Sequence, residues 1–341
     1  MKILITGNLG YIGPILVEHL SLTKNNWSLI GLDIGYFAHI VTTNNSLPDI
    51  KLTKQIYKDI RNLDEQDLIG IDSVVYLSAI SNDPMGNKFE KATYEINQHA
   101  AVKCAKLAKS LGVNSFVFAS SCSVYGAASE GFKTENSEVN PLTAYAKSKI
   151  NTELELKPLA DSNFIITCLR FATACGFSPR LRLDLVLNDF VASALLTKKI
   201  EILSDGSPWR PLIHVKDMSR AIEWAIERRS EDNGIFLSLN IGSNQWNYQV
   251  KDLAKSVSEV VNDVEIEINK NALPDKRSYQ VDFSLYKKLN PKHNNFITIN
   301  EAVLDLVSGL KSINFKDKDF RNSSLIRLNI LKDLNINLPA L

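Results

Sequence analysis

Residues 3–13 read ILITGNLGYIG: a short apolar run, then Gly7, Gly10 and Gly13 at three-residue spacing around Tyr11 and Ile12, then the amphipathic stretch ILVEHL. That order predicts a strand, a tight turn and a helix start. Glycines there let the backbone turn sharply, approach an anion and seat the helix on its strand, while unpaired helix N–H groups face the anion. Pro14 fits, because the first helical turn has no intrahelical use for its N–H. Asp33 lies twenty residues beyond Gly13, at the end of the next apolar run SLIGLD, where a carboxylate can accept hydrogen bonds from an adenosine ribose. The combination predicts a dinucleotide site. Between Trp27 and Ile50 there is no Lys or Arg to neutralise a 2′-phosphate, so NAD is expected over NADP.

Outward from this unit, apolar runs alternate with helical patterns. Strands are expected at 28–33, around Ile56–Tyr57, at 73–79, 114–121 and 164–171, and helices at 88–111 and 144–157. Near-continuous apolar strands suit a parallel sheet covered on both faces, with its ligand at the carboxyl ends of the strands. Beyond Phe171 the chain changes character. Loops rich in Arg, Pro, Gly and Asn separate helices at 184–197, 217–228 and 250–262 from strands near 200–203 and 236–240. The tail from Lys316 ends in SSLIRLNILKDLNINL, which reads as a last helix.

With 341 residues the chain is long enough for about two domains. Its 45% hydrophobic and 23% charged residues are ordinary for a globular protein. A net charge of +1 and the lack of basic runs argue against nucleic acid or membrane surfaces as partners. No apolar stretch approaches the ~20 residues that span a bilayer, and the N-terminus enters a strand at once, so a cytoplasmic protein is expected. Cys104, Cys122, Cys168 and Cys175 show no CxxC spacing, so reduced thiols are expected, and neither a disulfide framework nor a metal site.

Tyr145 and Lys149 stand four residues apart in AYAKSKINTELE and share a helical face. Ser121, at the end of an expected central strand, precedes them by twenty-four residues. A tyrosine with an ordinary pKa near ~10 serves as a base at neutral pH only if a neighbouring cation favours its phenolate. Lys149 is the candidate cation and also reaches for a cofactor ribose, while Ser121 is placed to hydrogen-bond the oxygen whose proton Tyr145 takes.

The set TGNLGYIG, Asp59-Ile60, Ser121…Tyr145-x-x-x-Lys149 and Arg210…His214-Val215 resembles the extended short-chain dehydrogenase/reductase family, and within it the nucleotide-sugar epimerases and dehydratases. The resemblance covers the chain to about residue 310. It implies an α/β fold: a Rossmann-type doubly wound parallel sheet over 1–171, with a returning segment at about 212–241. A smaller C-terminal α/β lid, 172–211 and 242–341, would bind a nucleoside-diphosphate sugar. It also implies tightly held NAD and a homodimer paired through the two long helices, whose apolar positions are Ala101, Ala105, Ala108, Ile150 and Leu154. Asp59 and Ile60 match the pair beside the adenine. Leu77, Ser78 and Ala79 match the strand end that passes the cofactor diphosphate, and Asn97 matches an asparagine that steadies the site from the cofactor side. Substrate contacts are expected from Ser81, Cys122, Ser123, Thr173, Arg180, Arg182, Arg210 and Arg277. Arginine forks suit phosphate geometry, although each of these arginines taken singly also reads as an ion pair. His214 reads as a structural hydrogen-bonding residue.

Two departures bear on the reaction. Many epimerases of this kind carry an asparagine where Thr173 or Ala174 stands here. Dehydratases follow the catalytic hydroxyl with an Asp-Glu pair, and here those positions are Cys122 and Ser123, so dehydration lacks its acid and base. Cys122 reads as a core thiol, since the histidine partner that similar epimerase-reductases use is missing between His99 and His214. The expected function is an NAD-dependent nucleotide-sugar 4-epimerase. The alternatives are a 4-dehydrogenase that releases a keto sugar, and a regulator that binds NAD without catalysis.

Overall fold

A computed structural model describes residues 1–269, 271–272, 277–293 and 295–334. Seven strands form the main sheet: β1 (Lys2–Thr6), β2 (Ser28–Asp33), β3 (Lys54–Tyr57), β4 (Ser73–Tyr76), β5 (Ser115–Ser121), β6 (Ile165–Phe171) and β7 (Phe236–Ile241). Their spatial order is β3-β2-β1-β4-β5-β6-β7, and every pairing is parallel. This is the doubly wound arrangement. Its order reverses between β1 and β4, where Thr6 and Tyr76 lie in register. The chain segments leaving those two strand ends therefore border one crevice, the usual ligand position in such sheets. The apolar run at 73–79 stops being a strand at Tyr76, and Leu77–Ala79 peel away to line the crevice.

Alternate residues of each strand serve opposite faces. Ile3 and Ile5 face one core with Leu16 and Leu20 of helix α1 (Gly13–Thr23). Leu4, Val74 and Phe116 face a second core with Ala101 and Ala105. The expected helix over 88–111 is broken into pieces. Helix α2 (Asp83–Lys88) comes first, then a short helix at Glu90–Tyr94, a π-helical turn at Glu95–His99 and helix α3 (Ala100–Ser110). The π turn carries Asn97, whose side chain bonds the backbone N–H and C=O of Ile80. Such turns commonly mark a place where a helix bends to suit a site.

Helix α4 (Ala144–Leu156) runs beside α3. Ala101, Ala105 and Ala108 are fully buried against the chain's own sheet. The small-residue stripe expected at a dimer contact is therefore internal packing, and of the five positions only Leu154 is strongly exposed, at 64%.

Past Phe171 the chain builds small sheets. Trp209–His214 pairs with Thr173–Cys175 and Asn247–Gln249, Lys199–Ile202 with Glu265–Ile268, and Ser278–Val281 with Ala127–Lys133. The return to the main sheet was expected at about residue 212. It runs through helix α5 (Val215–Glu227), which packs on α1, and ends with β7 (Phe236–Ile241). Further helices at Val186–Thr197 and Val250–Val260 lie within a few residues of expectation. The last helix, α6, spans Arg327–Asp333, and residues 335–338 of the expected tail helix lie outside the described residues.

Candidate active site

A cavity of about 700 Å³ opens at the carboxyl ends of β1, β2, β4, β5 and β6. Gly7, Gly10, Tyr11, Ile12, Asp33, Asp59, Ile60, Leu77, Ser78 and Ala79 line it towards β1–β3. Ser121, Tyr145 and Lys149 line it at β5 and α4. Ser81, Ser123, Thr173, Arg182, Arg210 and Arg277 complete the wall on the far side.

The glycine turn is shaped for close backbone approach. Gly7 sits at φ +72°, and a Cβ there would lie 2.6 Å from the amide of Ser78. Helix α1 starts at this wall with no side chain capping its first N–H groups. An uncapped helix start of this kind is a ready anion site. Asp33 closes the turn from the next strand, accepting from the Leu9 N–H at 3.0 Å and the Gly35 N–H at 2.7 Å. Burial pushes its carboxyl pKa up, partly offset by those two N–H donors. The residues present fit a dinucleotide.

Tyr145 and Lys149 respond to burial in opposite directions. Desolvation raises the Tyr145 phenol to about 12, against a smaller lowering by its hydrogen bond with Ser121. Desolvation also lowers the Lys149 ammonium to about 7, partly countered by the Glu153 charge. Lys149 was expected to depress the phenol; the lowering influences on it come instead from Ser121 and Arg182, and loss of hydration outweighs both. Lys149 Nζ donates to the Ala119 carbonyl at 2.7 Å, which fixes the side chain under the cavity floor.

Four residues expected at the site are placed elsewhere. Gly13 does not line the cavity. It is glycine because a Cβ there would lie 2.0 Å from the Asn8 carbonyl oxygen, so it lets the start of the helix close on the turn. Asn97 is buried behind the wall, tying Ile80 to Ser148. Cys122 is buried, with its thiol donating to the Arg170 carbonyl at 3.0 Å, and desolvation pushes its pKa far up, which suits a core thiol. Arg180 turns away to Asp49 at 2.6 Å and to the carbonyls of Ala38 and Ile40. The arginines that do line the cavity have protein partners. Arg182 pairs with Asp184 and donates to Ser81, Arg277 pairs with Asp83 at 2.8 Å, and Arg210 donates to the Arg277 carbonyl. His214 is buried beside Asp305 at 3.2 Å.

Several contributors escaped the sequence reading. Glu153 is buried in a network with Arg170, Ser120 and Ser238 beneath Lys149. Its spacing of four from Lys149 was the available signal. Asp83 approaches Tyr145 from α2, where Gly86 lets the two helices touch: a Cβ on Gly86 would lie 2.9 Å from the Tyr145 Cβ. Ser123, by contrast, was expected as a substrate contact, and its Oγ is buried on the cavity wall without a hydrogen-bond partner among the described residues.

Residues 3–242 match the model of the NAD dependent epimerase/dehydratase family. The chain is 31% identical over 231 residues to the uncharacterized UDP-glucose epimerase YtcB of Bacillus subtilis, covering 65% of this chain and 71% of that protein. Among solved structures, it superposes on the NDP-hexosamine 5,6-dehydratase TunA with a TM-score of 0.78 and 23% identity, over 93% of this chain and 99% of that one. It also superposes on UDP-glucuronic acid 4-epimerase from Bacillus cereus, solved with UDP-glucuronic acid and NAD, with a TM-score of 0.76 and 23% identity over 92% and 100% of the two chains. The chain belongs to the NAD dependent epimerase/dehydratase family: it is an enzyme with a Rossmann-type fold, and its cofactor is NAD.

Proposed function

We propose that the protein is a nucleotide-sugar 4-epimerase, acting first of all on uridine diphosphate sugars. The observation that carries this reading is the pairing of Ser121, Tyr145 and Lys149 on one cavity wall with no carboxylate directly after Ser121, where Cys122 is buried and Ser123 is neutral. Such a site removes and returns a hydroxyl proton but lacks the acid and base that eliminate water. The kinship with a protein named as a UDP-glucose epimerase supports uridine as the base.

In this reading the residues of the glycine turn, Asp33 and the Leu77–Ala79 segment hold NAD, with Asp59 and Ile60 at the adenine end. Bound NAD supplies a reversible hydride acceptor and, when oxidised, a positive charge that favours loss of the Tyr145 proton. Tyr145 takes the proton from the sugar C4 hydroxyl, and Ser121 hydrogen-bonds the same oxygen. Lys149 steadies the phenol and the cofactor ribose. Arg182, Arg210, Arg277, Ser81, Ser123 and Thr173 hold the sugar nucleotide while the keto sugar turns over, so that the hydride given up by C4 would return to the opposite face of that carbon as Tyr145 returns the proton to the C4 oxygen. We further infer a cytoplasmic homodimer paired through the outer faces of α3 and α4.

The test uses UDP-, GDP- and dTDP-sugars carrying deuterium at C4, without added cofactor, with products read by NMR. Inverted product that keeps the label at C4 is the expected result. A free 4-keto sugar with stoichiometric NADH would make the enzyme a dehydrogenase, and loss of the C6 hydroxyl would make it a dehydratase.

A further inference from the structure

Helix α6 and the residue before it belong to the cavity wall: Ile326, Arg327, Leu328 and Leu331 all line it. Leu331 is buried with Ile80, Met85 and Phe89, while Leu328, Tyr36 and Phe37 pack against the same cluster. One short helix thus bridges the loop after β2 and helix α2, which are two separate walls of the cavity.

Arg327 is 1% exposed. Its guanidinium donates to the carbonyls of Arg180 at 2.8 Å and Ser324 at 3.3 Å and lies 4.8 Å from the centroid of the Phe37 ring. Among the described residues no carboxylate comes within salt-bridge distance of it. The neighbouring Arg180 and Arg182 already hold Asp49 and Asp184. Burial, with Arg182 adding repulsion and Asp184 offsetting only part of it, pulls the Arg327 pKa down to about 9. An uncompensated buried charge is costly to a folded chain, and such groups persist where a ligand supplies the opposite charge.

We propose that Arg327 is the counter-charge for the NAD diphosphate, delivered by the C-terminal helix as a strap across the cavity. Its position selects the cofactor. Phe37 beneath it lies four residues beyond Asp33, and Tyr11 of the glycine turn is among its charge neighbours. A dinucleotide with its ribose at Asp33 and its phosphates at the start of α1 runs between these points. Of the cations assigned to the sugar nucleotide, Arg210 and Arg277 sit together beside Asp83, and Arg182, the one nearer Arg327, is already engaged by Asp184 and Ser81. The inference rests on NAD as the cofactor and is independent of which sugar reaction the enzyme performs.

The experiment compares the full chain, stripped of nucleotide, with Arg327→Met and Arg327→Lys. Calorimetry measures NAD, ADP-ribose, adenosine and UDP, and the melting temperature is recorded with and without NAD. Methionine keeps an apolar stem on Phe37 but removes the charge. Arg327→Met is expected to weaken NAD and ADP-ribose by about tenfold or more, since hydrogen bonds to charged groups are the strong ones. Adenosine and UDP should bind within twofold of the parent. The nucleotide-free melting temperature should stay level or rise while the NAD-induced increase shrinks, and lysine should restore part of the affinity. NAD and ADP-ribose affinities within twofold of the parent overturn the proposal. So does a fall in the nucleotide-free melting temperature with equal weakening of adenosine, which would make Arg327 a structural strut. A loss confined to UDP would assign the residue to the sugar nucleotide and overturn it as well.

Discussion

The Lys149 ammonium lies over the face of the Tyr145 ring, 5.7 Å from its centroid, one turn further along the same helix. Lys149 is only 2% exposed, and Tyr145 is half-buried at the cavity wall. The geometry of the pair depends on the helix, so removing the phenolic oxygen alone leaves packing intact. Tyr145→Phe should lower turnover ~10²–10⁴-fold, as usual for a positioned acid–base group, with NAD content unchanged. Steady-state assays beside the absorbance of released cofactor check this, and activity within a few-fold of the parent would assign the proton transfer to another group.

Burial of Lys149 makes stability depend on pH in a definite direction. Loss of hydration lowers its ammonium pKa from the ordinary 10.5 to about 7 in the folded chain. Below both values each state carries the proton and the native state bears the full penalty of a buried charge. Between them the unfolded chain binds the extra proton, so stability rises with pH across that window. In nucleotide-free protein, the melting temperature of the parent should climb relative to Lys149→Met as pH goes from 7 towards 10.5. Parallel melting curves over that range would show that the amine is hydrated.

Cofactor choice should turn on Asp33. Its carboxylate lines the cavity, and Ile34 beside it is 38% exposed, with room for a longer side chain. Asp33→Ala combined with Ile34→Arg should shift the NADP-to-NAD binding ratio towards NADP. The ratio is the readout because Asp33 also ties down the Leu9 and Gly35 N–H groups, and its loss weakens both cofactors. An unchanged ratio would remove Asp33 from the ribose site.

Arg277 meets Asp83 on the far wall and should hand its charge to the substrate diphosphate. Arg277→Ala is expected to raise KM for the sugar nucleotide by about 10–100-fold, with kcat within a few-fold and NAD content unaltered. Equal losses in kcat and NAD content would point to a collapsed lid.

For the homodimer, Leu154 is the apolar position left exposed on α4. Light scattering at micromolar concentration should report a dimer, and Leu154→Glu should shift it to monomer. A monomeric parent would end the claim.

Local patterns carried much of this molecule. The glycine turn, Asp33 and the apolar strands placed the main sheet and one side of its crevice. Ser121, Tyr145 and Lys149 were legible because a strand end and a four-residue helical spacing are short-range facts. Gly13 was drawn to the site by the glycine spacing and Asn97 by the family resemblance. Which way Asn97 faces depends on a π-helical turn, which leaves no period in the sequence to read.

By itself the sequence determined the order of the main-sheet strands, the glycine turn and the candidate Ser-Tyr-Lys set, because periodicity and glycine spacing act over a few residues. Only the tertiary structure decided which arginines reach the cavity. Arg180 and Arg182 are two residues apart, yet one turns to Asp49 and the other to Ser81 in the cavity wall. It alone brought Arg327 to the glycine turn, more than three hundred residues away along the chain. The physical reason is that a charged side chain goes where a distant partner and the local dielectric make it least costly, and neither is written in its sequence neighbours.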